Sequence, residues 1–141
     1  MAKTSAIGKE IEIMSHDIFD VIFALLILQG YKNLSLRRRY DEACVAVYKE
    51  VEKMCVRNNA SCGFYMVQHP IHGDSQGARD LLREWCANGR LYLHLPGDGT
   101  YHFTVSQHKA NTILEHGIKF TGFGREDFEY LALTFLKIYE S

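Results

Sequence analysis

The chain has almost none of the features that announce a chemistry. It holds two prolines in 141 residues, so there is no proline-rich linker, and neither a repeat nor a low-complexity tract is visible. Its four cysteines, Cys44, Cys55, Cys62 and Cys86, are scattered without the short paired spacing of a zinc ribbon or a redox dithiol. Three of them fall in helical patterns, so they read as reduced, buried apolar residues. No phosphate-cradling glycine loop, nucleophile elbow or dinucleotide fingerprint occurs, which argues against an enzyme and implies no cofactor.

Charge of one sign is lacking too. The formal net charge is -1 and the isoelectric point is near 6.6, so no global field draws the protein to phosphate or to anionic lipid. Any nucleic-acid site must be a local patch. The most apolar run, Ile18 to Leu28, contains Asp20 and is about half of the roughly 20 residues needed to cross a bilayer. Met1 to Glu12 has lysines but is not followed directly by a cleavable apolar core. A soluble, cytoplasmic protein with no membrane role is the expectation.

What the chain does have is helical periodicity. With 47% hydrophobic residues it can bury one core without disulfides, and residues 1–141 read as a single domain. Residues 15–57 form the N-terminal helices. The first opens near Ser15 or Asp17 and ends at Gln29-Gly30; it is apolar nearly all round, so it must lie centrally or in an oligomer interface. Ser35 can cap a second helix to about Arg57, whose Leu36, Tyr40, Cys44, Val47, Val51, Met54 and Cys55 recur at three- and four-residue intervals. Phe64 to Val67 is a candidate strand, and His69 to Asp74 a loop. Past Gly117, a short strand around Ile118 to Phe120 precedes a C-terminal helix over 125–139, too apolar to stand alone and a candidate dimerisation element with the first helix.

Residues 60–117 form the core unit, and Ser75 to Gly117 is its most legible part. Ser75 can cap a helix with Ala78, Leu81, Leu82, Trp85 and Cys86 on one stripe, and Asn88-Gly89 ends it. Arg90 to Leu95 and Thr100 to Val105 flank Pro96-Gly97-Asp98-Gly99, which suits a hairpin turn. Ser106 caps a further helix that Gly117 closes. With the turn centred on Gly97-Asp98, Tyr92 faces Phe103 and His94 faces Tyr101, leaving Leu91, Leu93 and Leu95 on the other surface. An aromatic strand face of this kind either packs in a core or stacks single-stranded bases.

The run Leu81-Leu82-Arg83-Glu84-Trp85-Cys86-Ala87-Asn88-Gly89-Arg90-Leu91, a tip at Gly97-Asp98-Gly99, then Tyr101-His102-Phe103-Thr104-Val105-Ser106, resembles the second half of a winged helix-turn-helix domain. The resemblance spans about residues 75–117 and is a pattern of residue types. It implies an α+β, mostly helical fold: a winged-helix-like body with one β-hairpin and flanking N- and C-terminal helices. It also implies a DNA-binding regulatory role in which the helix after Ser75 enters the major groove with Gln76, Arg79 and Arg83. The triplet Arg37, Arg38 and Arg39 is the strongest positive run and a candidate phosphate contact. Asp80, Glu84, Asp41 and Glu42 stand beside these cations and allow a plain reading as solvated helix faces.

Two other readings stay open. A near-neutral chain with an aromatic, mixed-charge surface suits a protein partner, as in a small adaptor, inhibitor, immunity or anti-defence protein. His69, His72 and Asp74 share a proline-held loop, and with Cys62, His94 or His102 they would offer zinc donors, although the spacing specifies no metal site. Duplex DNA or a protein partner, in a homodimer, is therefore the expected company.

Overall fold

In a computed structural model that describes residues 11–94 and 97–141, the chain is an α+β protein built mainly from helices. Leu95 and Pro96, assigned above to the hairpin, and the lysine-bearing start before residue 11 lie outside the described residues. A two-residue strand β1 (Glu12–Ile13) leads into α1 (Ser15–Leu28). Asp17 folds back at the start of α1, its carboxylate accepting from the Met14 N–H at 2.8 Å, which satisfies a donor the helix leaves free. After β2 (Asn33–Ser35) come α2 (Tyr40–Arg57), β3 (Ser61–Cys62) and α3 (Gln76–Ala87). The hairpin strands β4 (Leu91–Leu93) and β5 (Thr100–Phe103) precede α4 (Gln107–Thr121) and α5 (Arg125–Tyr139).

The strands form two small sheets. β1 and β3 pair in parallel, while β2, β5 and β4 form an antiparallel sheet in that order. β1 and β2 are too short for periodicity to declare, and both escape a sequence reading. The strand expected at Phe64 to Val67 is absent; pairing falls instead at Ser61–Cys62.

One continuous core joins the helices. α1 lies at its centre, with Ile18, Phe19, Ile22, Phe23 and Leu26 fully enclosed, chiefly by α4 and α5. α5 lies mainly against α2, through an inward face of Phe128, Leu131, Ala132 and Phe135. The apolar stripes of the first and last helices are thus covered within one chain, while Tyr130 and Leu133 of α5 are exposed.

Two boundaries differ from expectation for visible reasons. Ser35 does not cap α2: its Oγ accepts from the Arg37 N–H at 3.1 Å within a turn, so Arg37 to Arg39 precede the helix rather than form its first turn. Gly117 does not close α4, which runs through the Ile118 to Phe120 segment to Gly122, the residue with left-handed φ of 78°. Gly117 serves another purpose. A Cβ there would collide with the Val21 Cγ2, so the missing side chain is what lets α4 lie directly on α1.

The hairpin register is shifted by one residue. Leu91 pairs with Phe103, Tyr92 with His102 and Leu93 with Tyr101. Because strand side chains alternate, that slip exchanges the partners across the ribbon. Leu91, Phe103 and Tyr101 pack towards the core, while Tyr92, His94 and His102 gather on the opposite surface.

Candidate functional site

The expected reading surface is the side of α3 away from Ala78, Leu81, Leu82 and Trp85, all of which are buried. Ser75 caps the helix, accepting from the Ala78 N–H at 3.3 Å, as its place before an amphipathic stretch requires. Trp85 packs edge-on against Phe23 with ring centroids 5.1 Å apart. Its Nε1 donates to Asp20 at 2.7 Å, which explains the one acidic residue inside the apolar run of α1.

Two residues of α2 fasten the start of α3. The buried Tyr40 hydroxyl donates to the Ala78 carbonyl at 2.6 Å. Asp41 accepts from the Ser75 N–H at 3.0 Å and takes both arms of Arg79, Nε at 3.0 Å and Nη2 at 2.9 Å. This fork geometry gives a guanidinium its strongest carboxylate partner. With the Asp41 side chain only 13% exposed and that of Arg79 34%, the pair is a strut between helices. The hydrogen bond to Asp41 also raises the Arg79 pKa, keeping it charged.

The other candidates are exposed and more loosely held. Asp80 accepts from Gln76 at 2.9 Å and from Arg83 at 2.6 Å, all on the surface of α3. Arg37 donates to the Asp98 carbonyl at 3.1 Å, while the Leu36 N–H donates to the Gly99 carbonyl at 2.7 Å, so the turn before α2 is tied to the hairpin tip. Arg38 lies 6.0 Å over the Tyr139 ring. Arg39 pairs with Glu42, and with the Ser141 hydroxyl at 2.9 Å. The structure therefore brings Arg37 to the hairpin tip and sets Gln76, Arg79 and Arg83 along one groove of about 420 Å³, shared with Leu93 and Tyr101. Of the five candidate arginines, Arg37, Arg39, Arg79 and Arg83 each meet an acidic residue.

That groove and the Asp41 strut were beyond sequence reasoning, since Asp41 stands two residues after the arginine triplet yet pairs with Arg79, far along the chain. A second cleft, of about 500 Å³, opens between α1 and α4 beside Asp20, Arg90, Lys109, His116 and Phe120. Asp20 is engaged there by Trp85 and, at 3.5 Å, by Arg90.

The histidine loop does not assemble a metal centre. His69 Nδ1 accepts from the N–H groups of Ile71 and His72, both at 3.1 Å, and the two imidazoles stack with centroids 4.6 Å apart. Among the described residues no group of three or more His, Cys, Asp or Glu is placed to hold a metal ion. All four cysteines are free; Cys44 and Cys55 are buried, and burial pushes the Cys55 thiol up to about 12. Cys62 and Cys86 are only partly covered.

No helix among the described residues is long and apolar enough to cross a membrane. No protein-family model matches the chain, and no match is found among curated proteins or solved structures.

Proposed function

We propose that the chain is a DNA-binding regulatory protein of winged-helix type, presenting the outer face of α3 to duplex DNA. The order of elements around the antiparallel sheet carries this reading: α1, β2, α2, α3, β4, β5, with β2 added to the outer side of β5 and with β3, which stands between α2 and α3, paired separately with β1. A winged helix joins its first strand to the wing hairpin in this way and places the recognition helix directly before the hairpin. Fold alone does not supply a function, so the contacts must be named. Arg83 and Gln76 face outward from α3, and Arg37 and Arg38 occupy the turn beside the hairpin tip.

The Arg83–Asp80 pair leaves the arginine side chain 71% exposed. Such pairs hold only about 0–1 kcal/mol, so a phosphate or base edge can take the guanidinium from Asp80. Arg79 is different, because opening its fork would strand the Asp41 carboxylate between helices. In this reading Arg79 positions α3 and does not contact DNA. The expected binding is moderate and rests on few phosphates.

Fluorescence anisotropy with a labelled random duplex, at low and moderate salt, tests the proposal. The apparent affinity should fall with salt at about 0.9 log units per log unit for each phosphate neutralised. The combined variant R37A/R38A/R83A should lose binding with an unchanged melt. No binding at low salt, or binding indifferent to salt and to the triple variant, would overturn it.

A second reading is favoured by the acidic partners beside Arg37, Arg39, Arg79 and Arg83. That mixed-charge surface, with Tyr92 and Leu93 exposed on the hairpin, suits a protein partner. It predicts no binding to the duplex and a defined complex that R83A weakens.

A further inference from the structure

The outer face of the hairpin gathers nitrogen donors that neither the DNA reading nor the core uses. Pairing of Tyr92 with His102 places His94, two residues further along β4's direction, on the same side and diagonal to His102. The two imidazole centroids are 4.7 Å apart. Tyr92 lies against His102 with centroids 5.3 Å apart and planes within 20°. Neither imidazole makes a side-chain hydrogen bond to another described residue, and the strands beneath are held by backbone bonds, including His94 N–H to the Thr100 carbonyl at 3.0 Å.

We propose that His94 and His102 are the protein ligands of a divalent transition-metal site on this face, with Tyr92 as a positioning residue. Diagonal neighbours on an antiparallel pair are about 7–8 Å apart at most between Cβ atoms. Two imidazoles reaching inward from that spacing can share one ion at bond lengths of about 2.0–2.1 Å. The ring tilt matters: at 53° between planes the two edges can converge on a common point. The other close histidine pair makes the contrast, since His69 and His72 lie nearly face to face at 29° and His69 Nδ1 is occupied by backbone donors.

Imidazole nitrogen selects Zn2+, Cu2+ or Ni2+ over Ca2+ and Mg2+, which prefer oxygen. Two protein ligands leave the remaining positions to water, so the ion is exchangeable. Tyr92 lies nearly parallel against the His102 ring, reducing the rotamer freedom that ligation must remove. A bound dication would add positive charge to the hairpin whose tip carries Asp98. The site stands whether or not DNA is the ligand.

Calorimetric titration of the full, untagged chain with zinc chloride tests this. The expected result is saturable binding of one ion per chain, weakened at least tenfold by H94A and by H102A separately, with no change in melting temperature. H69A/H72A should leave the isotherm as it is. With Cu2+ in place of zinc, paramagnetic resonance should show two equatorial nitrogens in the wild type and fewer in H102A. Y92A should weaken binding less than either histidine variant and leave both nitrogens in place. Absence of saturable binding, an isotherm untouched by H94A and H102A, or one abolished by H69A/H72A would each overturn the site.

Discussion

Two junctions between helices set the shape of this protein, and they are built from opposite materials. α1 meets α4 chiefly where a side chain is missing, with Gly117 open to Val21, and one polar tie at the end of the seam, Gln107 Nε2 donating to the Ile27 carbonyl at 2.7 Å. α2 meets α3 through polar groups: the Tyr40 hydroxyl on a backbone carbonyl, and Asp41 shared between the Ser75 N–H and the Arg79 fork. Shape fixes the first seam and directed hydrogen bonds fix the second. The difference bears on function, because the polar seam lies beside the proposed reading surface and draws one of its cations inward. A helix face rich in arginine is therefore not equivalent to a basic surface; each guanidinium must be assigned a partner before its charge is counted.

Trp85 belongs to both kinds of junction and should show the largest effect when removed. Its ring fills the space between Phe23 and Phe103, and its N–H serves Asp20. W85A should cost about 3–5 kcal/mol from the cavity alone, read by urea or thermal unfolding. W85F keeps most of the apolar fill and leaves Asp20 with Arg90 at 3.5 Å, so it should cost about 1 kcal/mol, the worth of one hydrogen bond. Equal losses would mean that the indole N–H carries the site rather than its bulk.

Next in size is the apolar seam itself. G117V forces a branched side chain onto Val21 and should cost about 1–3 kcal/mol by overpacking. The partner variant V21A/G117V should recover part of that loss, because the colliding Cγ2 is gone. An unchanged melt for G117V would show that α4 stands further from α1 than described, and the contrast between the junctions would fall.

The same division explains what could be read from the sequence. α1, α2, α3 and α5 were legible because their apolar residues recur at helical spacing, and the caps Ser75 and Ser106 both accept the bonds expected of them. Gly117 misled, since a glycine that allows close packing carries the same letter as one that ends a helix. β1 and β2, two and three residues long, have no period to detect; they exist because distant strands offer them partners. The hairpin was visible but its register was not, as the turn could be centred on either of two neighbouring positions and only packing of Leu91 and Phe103 decides. At the candidate site, exposure of Gln76 and Arg83 followed from periodicity. The engagement of Arg79 by Asp41 did not, because an ion pair between residues 38 positions apart leaves no local trace.

The smallest effects are the sharpest test, since two arginines one turn apart on α3 should behave differently. Arg79 is forked to a largely covered carboxylate, whereas Arg83 makes a single bond to an exposed one. In double-mutant cycles the Asp41–Arg79 pair should couple by about 1.5–3 kcal/mol, the range for hydrogen bonds to charged groups. The Asp80–Arg83 pair should couple by no more than about 0.5 kcal/mol, and that remnant should fade with added salt, as exposed pairs do. Binding should divide the other way: R83A should weaken DNA while leaving the melt untouched, whereas R79A should lower the melt. If the two cycles gave equal coupling, Arg79 would be as free as Arg83 and would rejoin it among the candidate DNA contacts.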